Sequence, residues 1–227
     1  MRKVAMVSGA NRGIGAAIAA ALAAAGWQLS LGVRRPEATQ APAGALVHAY
    51  DARDRAAAAG WVAATVARFG QIDAVVANAG LLIPKSVIDA EDTEIDEIYD
   101  VNVKAPLRLV RAAWPQLVAC GQGRVINIVS LSGKRVASAQ SGLYATSKFA
   151  ALALTHAIRQ KGWQDGIRAT AICPGFVATD MAAGAPAPPE QLTQPQEIAR
   201  IVTFVLDLPN TASIAEIPVN WALEPGL

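Results

Sequence analysis

The amino-acid sequence predicts an α/β fold in which helices cover both faces of a parallel sheet. Short apolar segments alternate with longer helical patterns along the chain. These apolar segments are nearly continuous, which is typical of strands that are buried on both faces. Hydrophobic residues make up 53% of the chain and charged residues 17%, which is enough apolar material for one substantial core. The length of 227 residues suits a single domain, residues 1–227, better than two domains.

Seven apolar segments are predicted to be strands. They span residues 3–8, 27–33, 45–51, 72–77, 124–129, 167–172 and 216–220. Helical patterns fill most of the intervals, namely an Ala-rich segment that ends at Gly26 and residues 54–69, 94–120, 141–162 and 196–208. Between the second and third strands, Pro36 and Pro42 leave room only for a turn or one short helical turn. The Pro-rich residues 182–195 predict a surface loop.

The composition disfavours several classes of function. The net charge is +2 and the basic residues are scattered, so nucleic-acid binding is not expected. No apolar segment approaches the length of a membrane span, and we expect a soluble, cytoplasmic protein without a membrane partner. Cys120 and Cys173 do not suggest a disulfide framework. With only His48 and His156, the sequence shows no metal-ligand cluster, and we expect both histidines to be packed or solvent-facing.

A glycine-rich segment follows the first predicted strand directly. Gly9, Gly13 and Gly15 lie between this strand and the first helix. Glycines allow the backbone to approach a pyrophosphate closely, and the free N–H groups at the start of a helix attract it. The spacing differs from Gly-x-Gly-x-x-Gly, because Ile18 stands where a third glycine would follow Gly13. The segment therefore predicts a nucleotide-binding turn, with a plain tight turn as the alternative.

A second pattern pairs a phenol with an ammonium group. Tyr144 and Lys148 are four residues apart in a predicted helix, so both side chains project from one face. Free tyrosine has a pKa of about 10, and its use as an acid or base near neutral pH needs roughly 4 kcal/mol of help. A neighbouring positive charge supplies part of that help. The pair is a candidate for proton transfer, although this spacing also occurs between unrelated helix residues.

Motifs along nearly the whole chain occur in the order and approximate spacing seen in short-chain dehydrogenases/reductases, which the sequence thus resembles. They are Ser8-Gly9-Ala10-Asn11-Arg12-Gly13-Ile14-Gly15, Asn78-Ala79-Gly80, Asn102, Ser130, Tyr144-x-x-x-Lys148 and Pro174-Gly175. The resemblance implies a Rossmann-like, doubly wound parallel sheet of about seven strands in the order 3-2-1-4-5-6-7. It also implies an NAD(P)(H)-dependent oxidoreductase that interconverts a small carbonyl compound and an alcohol.

The resemblance implies roles for four catalytic residues. Tyr144 would be the general acid or base at the carbonyl oxygen, and Ser130 would hydrogen-bond that oxygen. Lys148 would lower the pKa of the phenol and bind the nicotinamide ribose. Asn102, within the long helix predicted over 94–120, would hold a water that links Lys148 to solvent.

One departure from the family pattern concerns the catalytic serine. Leu131 occupies the position, counted back from the tyrosine, at which the family usually has it. Anchoring the segment on Gly133 and on the end of the fifth strand selects Ser130, with a one-residue insertion in the loop. Ser132 is the alternative, and it is otherwise interpreted as a turn serine. The expected substrate contacts are Ser130, Ser132 and Tyr144.

The resemblance places further residues around the cofactor. The expected contacts are Gly9, Asn11, Arg12, Gly13, Ile14, Gly15, Arg34, Asp51, Ala52, Asn78, Ala79, Gly80, Tyr144, Lys148, Pro174, Gly175, Val177 and Thr179. An enzyme that prefers NAD usually has an acid at the end of the second strand, where this chain has Gly32-Val33-Arg34-Arg35. Arg34 and Arg12 would instead converge on the 2′-phosphate of NADP(H). NADP(H) is therefore expected, with NAD(H) as the alternative cofactor and two solvated arginines as the alternative interpretation.

The sequence constrains the substrate and the assembly less closely. Lys85, Lys134 and Arg135 follow segments that rim the active site in the resembled fold, which suggests an anionic substrate, although solvated rim charges are the simpler interpretation. Residues 181–195 predict a short lid over an open site. Apolar surface on the helices predicted over 94–120 and 141–162, together with the resemblance, predicts a homo-oligomer, a dimer or a tetramer.

A regulatory protein that senses NADP(H) without catalysing a reaction is the alternative to an enzyme. Such a protein would be expected to lack the tyrosine or the lysine. Because Asn102, Ser130, Tyr144 and Lys148 are all present, the sequence favours the enzyme.

Overall fold

Seven parallel strands form one sheet in the computed structural model, which describes residues 2–223. The strands are β1 Val4–Ser8, β2 Gln28–Val33, β3 Leu46–Ala49, β4 Ala74–Ala77, β5 Arg124–Ile128, β6 Arg168–Pro174 and β7 Glu216–Val219. Their order is β3-β2-β1-β4-β5-β6-β7, which confirms the predicted order. Met1 and residues 224–227 of the predicted domain lie outside the described residues. The chain reverses direction across the sheet between β1 and β4, the place where open α/β sheets bind ligands.

Six α-helices within the described residues cover the two faces of this sheet. They are α1 Gly13–Ala24, α2 Ala57–Phe69, α3 Asp92–Tyr99, α4 Ala105–Ala119, α5 Gly142–Gly162 and α6 Pro195–Asp207. Helices α1 and α6 pack on one face, with Ile18 and Val202 fully buried between them and the sheet. Helices α2, α4 and α5 pack on the other face around Trp61, Leu109 and Ile158. Only the 3-10 turn Pro36–Ala38 separates β2 from β3, as the two prolines predicted.

Two strand ends differ from the predicted boundaries at positions that matter for the site. β3 ends at Ala49 and β5 at Ile128, so Asp51 and Ser130 lie in the following loops instead of closing the strands. At Ser130 the chain leaves the sheet because it enters the 3-10 turn Leu131–Gly133, and its Oγ accepts a hydrogen bond from the N–H of Ser132 at 3.0 Å. Both loops remain at the carboxyl edge of the sheet.

The helix predicted over 94–120 is interrupted by a wider turn. Residues Asp100–Lys104 are π-helical and separate α3 from α4. Pro106 gives a physical reason: it has no N–H, so it cannot donate the usual hydrogen bond to the carbonyl of Asn102, four residues earlier. Single π-helical turns inside α-helices are frequent at functional sites. This turn carries Asn102.

Candidate active site

The glycine loop between β1 and α1 needs glycine at each of its three positions. Gly9 and Gly13 have φ angles of 67° and 54°, left-handed values that residues other than glycine adopt only at a cost in free energy. At Gly15 the backbone angle is ordinary, but an added Cβ would lie 2.3 Å from the carbonyl oxygen of Gly9. The three glycines thus allow a folded loop that no larger residue would permit. Asn11 is exposed and Ile14 half-buried beside them.

Asn78, the residue after β4, is hydrogen-bonded to the glycine loop. Its Nδ2 donates hydrogen bonds to the carbonyl oxygens of Ser8 and Gly9 at 2.9 and 3.2 Å. In return, Ser8 Oγ accepts bonds from the backbone N–H groups of Asn78 and Ala79, both at 3.0 Å. The loops after β1 and β4, the two strands at the switch point, are therefore joined by four hydrogen bonds.

The amino end of α1 lies beside the glycine loop, at the carboxyl edge of the sheet. Arg12 is the N-cap residue, and its side chain makes no capping hydrogen bond. The backbone N–H groups of the first turn therefore remain available, with the positive end of the helix dipole behind them. Glycines that leave room for a ligand and an uncapped helix terminus together fit a pyrophosphate.

Tyr144 and Lys148 lie on α5, whose amino end lies at the same carboxyl edge of the sheet. Lys148 is only 6% exposed, and its Nζ lies 5.6 Å from the centroid of the Tyr144 ring. Nζ donates a hydrogen bond to the carbonyl oxygen of Ile128 at 3.1 Å. The side chain of Ser130 acts on the Tyr144 phenol and lowers its pKa. The structure thus brings the serine, the tyrosine and the lysine together at the carboxyl end of β5.

Gly133 fixes the position of the serine loop against α5. A Cβ at Gly133 would lie 2.7 Å from the carbonyl oxygen of Lys148, so the loop packs on the helix backbone. Of the two candidate serines, Ser130 is the one that acts on the pKa of Tyr144, while the backbone N–H of Ser132 donates to Ser130 Oγ. This geometry favours Ser130 as the serine that acts with the tyrosine.

Asn102 links the π-helical turn to two neighbouring segments. It is 2% exposed, and its Oδ1 accepts a hydrogen bond from the backbone N–H of Leu81 at 2.8 Å. Its Nδ2 donates to the carbonyl of Leu81 and to Ser147 Oγ, both at 2.9 Å. Ser147 lies next to Lys148, and a Cβ at Gly80 would lie 3.5 Å from Asn102 Oδ1 and 3.7 Å from Lys148 Nζ. All side-chain hydrogen-bonding groups of Asn102 are therefore used to hold the site together.

Burial sets the protonation of the two titrating groups. It raises the pKa of Tyr144 to about 12, while the hydrogen bond with Ser130 acts in the opposite direction. Burial also lowers the pKa of Lys148 to about 8. At pH 7 the phenol is therefore neutral and the amine charged. This differs from the expectation that Lys148 lowers the pKa of the phenol: burial dominates, and the ammonium is directed at the Ile128 carbonyl.

Comparison with known proteins identifies the family. The family model for short chain dehydrogenases matches residues 3–189. The chain belongs to the short-chain dehydrogenase/reductase family. It is thereby placed among oxidoreductases, as the motifs predicted.

Two curated relatives are reductases. Agropine synthesis reductase from Rhizobium rhizogenes is 39% identical over 218 residues, which are 93% of this chain and 50% of the relative. Acetoacetyl-CoA reductase from Rhizobium meliloti is 31% identical over 220 residues, 90% of this chain and 91% of the relative. The chain thus spans about half the length of the agropine synthesis reductase that it matches.

Solved members of the family share the fold over almost the entire chain. An alcohol dehydrogenase from the archaeon Thermococcus sibiricus, complexed with 5-hydroxy-NADP, has a TM-score of 0.84 at 30% identity and covers 96% of both chains. A metagenomic short-chain oxidoreductase complexed with NADP has a TM-score of 0.82 at 29% identity and covers 98% of both. The sheet and its helices are therefore those of the family.

Both arginines that are expected at the 2′-phosphate are exposed. Arg34 is exposed just past β2, and Arg12 forms an ion pair with Asp180, with Nη1 and Oδ2 2.5 Å apart. Arg53, which the sequence analysis missed, binds Asp51: its Nε and Nη2 donate hydrogen bonds to the carboxylate at 3.1 and 2.7 Å. These bonds, and to a smaller degree the charge of Arg34, lower the pKa of Asp51. The convergence of Arg12 and Arg34 on a 2′-phosphate stays a prediction, and Asp180 competes with such a ligand for Arg12.

The loop after β6 lies against the glycine loop. A Cβ at Gly13 would lie 3.1 Å from Thr179 Cγ2, so the two loops touch. Val177 is buried, and Ala178 N–H donates to the carbonyl of Thr193 at 2.9 Å. Thr193 is 7% exposed, which corrects the prediction that residues 182–195 are wholly a surface loop. The proposed lid is therefore attached to the body of the protein at both ends.

The basic residues predicted at the substrate rim are paired with acids. Lys85 Nζ lies 2.7 Å from Glu94 Oε2, and Lys134 Nζ lies 2.6 Å from Glu216 Oε2. The other oxygen of Glu216 lies 2.7 Å from Nε2 of His156. Arg135 is half-buried. These ion pairs disfavour Lys85 and Lys134 as ligands of an anionic substrate, and the two ammonium groups are paired with acids, unlike the solvated rim charges of the simpler interpretation.

Of the remaining candidates, Cys173 borders the cluster of Ser130, Tyr144 and Lys148, because the backbone of Ser130 and the charge of Lys148 both act on its thiol. His48 is half-buried on β3, and its Nδ1 lies 2.8 Å from the carbonyl oxygen of Ala49. Cys120 and Cys173 are free thiols, the second fully buried. Within residues 2–223, His, Cys, Asp and Glu side chains form no group suited to a metal ion. None of the described helices has the length and apolar character needed to cross a membrane.

Proposed function

We propose that this protein is an NADP(H)-dependent carbonyl reductase that reversibly reduces a ketone or an aldehyde to an alcohol. The observation that carries the proposal is the buried Lys148, whose Nζ lies 5.6 Å from the centroid of the Tyr144 ring, with Ser130 acting on the same phenol. A buried ammonium destabilises a fold unless it is well paired, and here it donates to a neutral carbonyl. A group that is kept despite this cost is a functional candidate.

The glycine loop and the amino end of α1 would hold the pyrophosphate of a nicotinamide cofactor. Lys148 would bind the nicotinamide ribose, and Thr179 and Val177 would border the carboxamide. The bound cofactor would supply the hydride for reduction. NADP-type ligands in the two solved relatives and the absence of an acid in Gly32-Val33-Arg34-Arg35 support NADP(H) over NAD(H).

The chain's own residues would manage the proton. Tyr144, neutral at pH 7 because its pKa is about 12, donates its proton to the carbonyl oxygen of the substrate. Ser130 holds the same oxygen by a hydrogen bond. Pro106 has no N–H to donate to the backbone carbonyl of Asn102. This carbonyl would hold the water that returns a proton through Lys148. A protonated phenol suits the reductive direction, and both curated relatives are reductases.

Steady-state assays test the proposal. Purified protein is incubated with NADPH or NADH and a panel of ketones, aldehydes and keto acids, and absorbance at the nicotinamide band is followed. We expect turnover of at least one carbonyl compound, with a higher kcat/KM for NADPH than for NADH. Tight binding of NADPH without turnover of any member would instead favour the regulatory protein that senses NADP(H).

We further propose that the protein forms a homodimer or a homotetramer through α4 and α5. Ile98, Val101 and Ile158 are covered within one chain, so they do not contribute to such an interface. Phe149 on α5 is 42% exposed and offers apolar surface for a second copy. Light scattering at micromolar concentration tests this proposal, and a monomeric mass would refute it.

A further inference from the structure

Exposed apolar side chains collect on the loops that follow the carboxyl ends of the central strands. Leu82 after β4, Val136 after β5 and Phe176 after β6 are 36%, 57% and 41% exposed. Met181, farther along the loop after β6, is 49% exposed. The carboxyl ends of parallel strands share one edge of the sheet, so these side chains border the edge that also carries Ser130 and Tyr144.

An aromatic pair lies within this group. The rings of Phe176 and Trp221 are 5.9 Å apart and nearly perpendicular, at 78°, an edge-to-face arrangement. Trp221 follows β7, and Phe176 follows β6, so the pair joins the ends of two neighbouring strands. Trp221 is half-buried, and Phe176 leaves a large part of its ring in solvent.

Gly175 connects this pair to the catalytic serine. A Cβ at Gly175 would lie 2.9 Å from Trp221 Cδ1 and 3.2 Å from Leu131 Cδ1. The indole and Leu131 therefore both pack closely against Gly175, and Leu131 directly follows Ser130 in the chain. Trp221 and the residue that follows Ser130, the proposed ligand of the substrate oxygen, are thus both in contact with Gly175.

The charges around this edge do not favour an anion. Lys85 and Lys134 are each neutralised by a carboxylate within 2.7 Å. An anionic substrate would have to displace Glu94 or Glu216 from these ion pairs, whereas an apolar group needs no such exchange.

We propose that the Phe176–Trp221 pair is the substrate-recognition surface, and that the enzyme prefers neutral carbonyl compounds with an aromatic or bulky apolar substituent on the carbonyl carbon. The inference rests on the proposed carbonyl reductase function. The substituent packs against the two rings while Ser130 and Tyr144 hold the oxygen. The remote contact orients the carbonyl and lowers KM more than it raises kcat.

Three substrates and two variants test this inference with NADPH as the reductant. The substrates are acetophenone, butanone and phenylglyoxylate, which separate aromatic character from negative charge. We expect kcat/KM for acetophenone to exceed the values for butanone and phenylglyoxylate by about tenfold. Phe176→Ala should remove most of the preference over butanone through a higher KM, with kcat and butanone kinetics little changed.

Phe204→Ala is the matched control, because Phe204 is 58% exposed on α6 and lies away from this edge. It should leave the preference unchanged. A wild-type preference for phenylglyoxylate or butanone, or an unchanged preference in Phe176→Ala, would overturn the inference while leaving the reductase function in place. Failure of the wild type to reduce any carbonyl compound would overturn the proposed function itself.

Discussion

The proposed catalytic cluster and the proposed phosphate end of the cofactor site are built in opposite ways. Lys148 and Asn102 are 6% and 2% exposed and are held by hydrogen bonds to backbone and side chains. Arg12 and Asp180, at the phosphate end, have 64% and 76% of their side chains exposed and are held by one ion pair. Changes in the buried region should therefore alter chemistry and stability together, whereas changes in the exposed region should alter cofactor preference alone.

Removal of the Tyr144 hydroxyl is the strongest test of the buried region. Tyr144→Phe keeps the ring and loses the proton that is donated to the substrate. We expect kcat to fall by at least about 100-fold, the lower end of what a positioned general acid contributes. NADPH affinity, measured by fluorescence titration, should be nearly unchanged because the phenol is not the ribose ligand.

Tyr50→Phe is the control for this change. Tyr50 is buried, and burial raises its pKa to about 12, but it packs beside Trp61 and follows the edge strand β3, four strands away from β5 in the sheet. It should retain near wild-type kcat. Near wild-type turnover by Tyr144→Phe would refute the assigned mechanism.

A charge reversal at Arg34 tests the exposed region. Arg34→Asp removes a donor and places a negative charge beside the 2′-phosphate, so kcat/KM for NADP(H) should fall by at least about tenfold. NAD(H) should lose little or gain, since its ribose diol can donate to the new carboxylate. Thermal stability should not change.

Arg35→Asp makes the same charge change one residue farther on, where Arg35 precedes the 3-10 turn. Its effect on the ratio of the two cofactors should be much smaller. The specificity argument fails if the wild type already prefers NAD(H), or if Arg34→Asp weakens both cofactors equally.

The fold was predictable from the sequence because its signals are local. Apolar strands, helix formers and the two prolines before β3 each act within a few residues, and they predicted all seven strands. The strand order was implied by the resemblance to the family. The boundaries at β3 and β5 were not, since strand ends depend on pairing with neighbours. The Tyr144–Lys148 spacing and the glycine loop were likewise visible as local patterns.

Contacts between distant segments were not predictable in this way. Arg12 and Asp180 are 168 residues apart in the chain, and Lys134 and Glu216 are 82 apart. These ion pairs changed the interpretation of Arg12 and Lys134, and no motif announces them. The π-helical turn had a local signal, Pro106 four residues after Asn102, which the helical periodicity concealed.

Stability measurements offer a further test of the buried region. The pKa of Lys148 is about 8, below its ordinary value of 10.5, so the folded protein prefers the neutral amine. Between these pH values the unfolded chain binds more protons, and wild-type stability should rise with pH. Lys148→Met removes a protonation penalty of at most about 3 kcal/mol at pH 7 and leaves the Ile128 carbonyl without its donor.

The net expectation is that Lys148→Met raises the free energy of unfolding by about 1 kcal/mol at pH 7, an advantage that is lost and then reversed before pH 10.5, where the penalty on the wild type is nearly gone. Urea denaturation at both pH values measures this difference. For Lys161→Met, on the exposed end of α5, the difference in free energy of unfolding from the wild type should be the same at both pH values. A Lys148→Met protein that is less stable at pH 7 than at pH 10.5 by the same margin as the wild type would contradict the assigned pKa.

The smallest expected effect concerns the ion pair between the glycine loop and the loop after β6. Asp180→Asn removes the carboxylate that binds Arg12, which leaves the guanidinium available to the 2′-phosphate. Because both side chains are largely exposed, water and salt screen the pair, and KM for NADPH should fall by no more than about threefold. KM for NADH should not change, since NADH has no 2′-phosphate, and the NADPH effect should vanish in high salt. An equal change in both KM values, or one that persists in high salt, would mean that Asp180 acts by shaping the loop beside Thr179 and not by competing for Arg12.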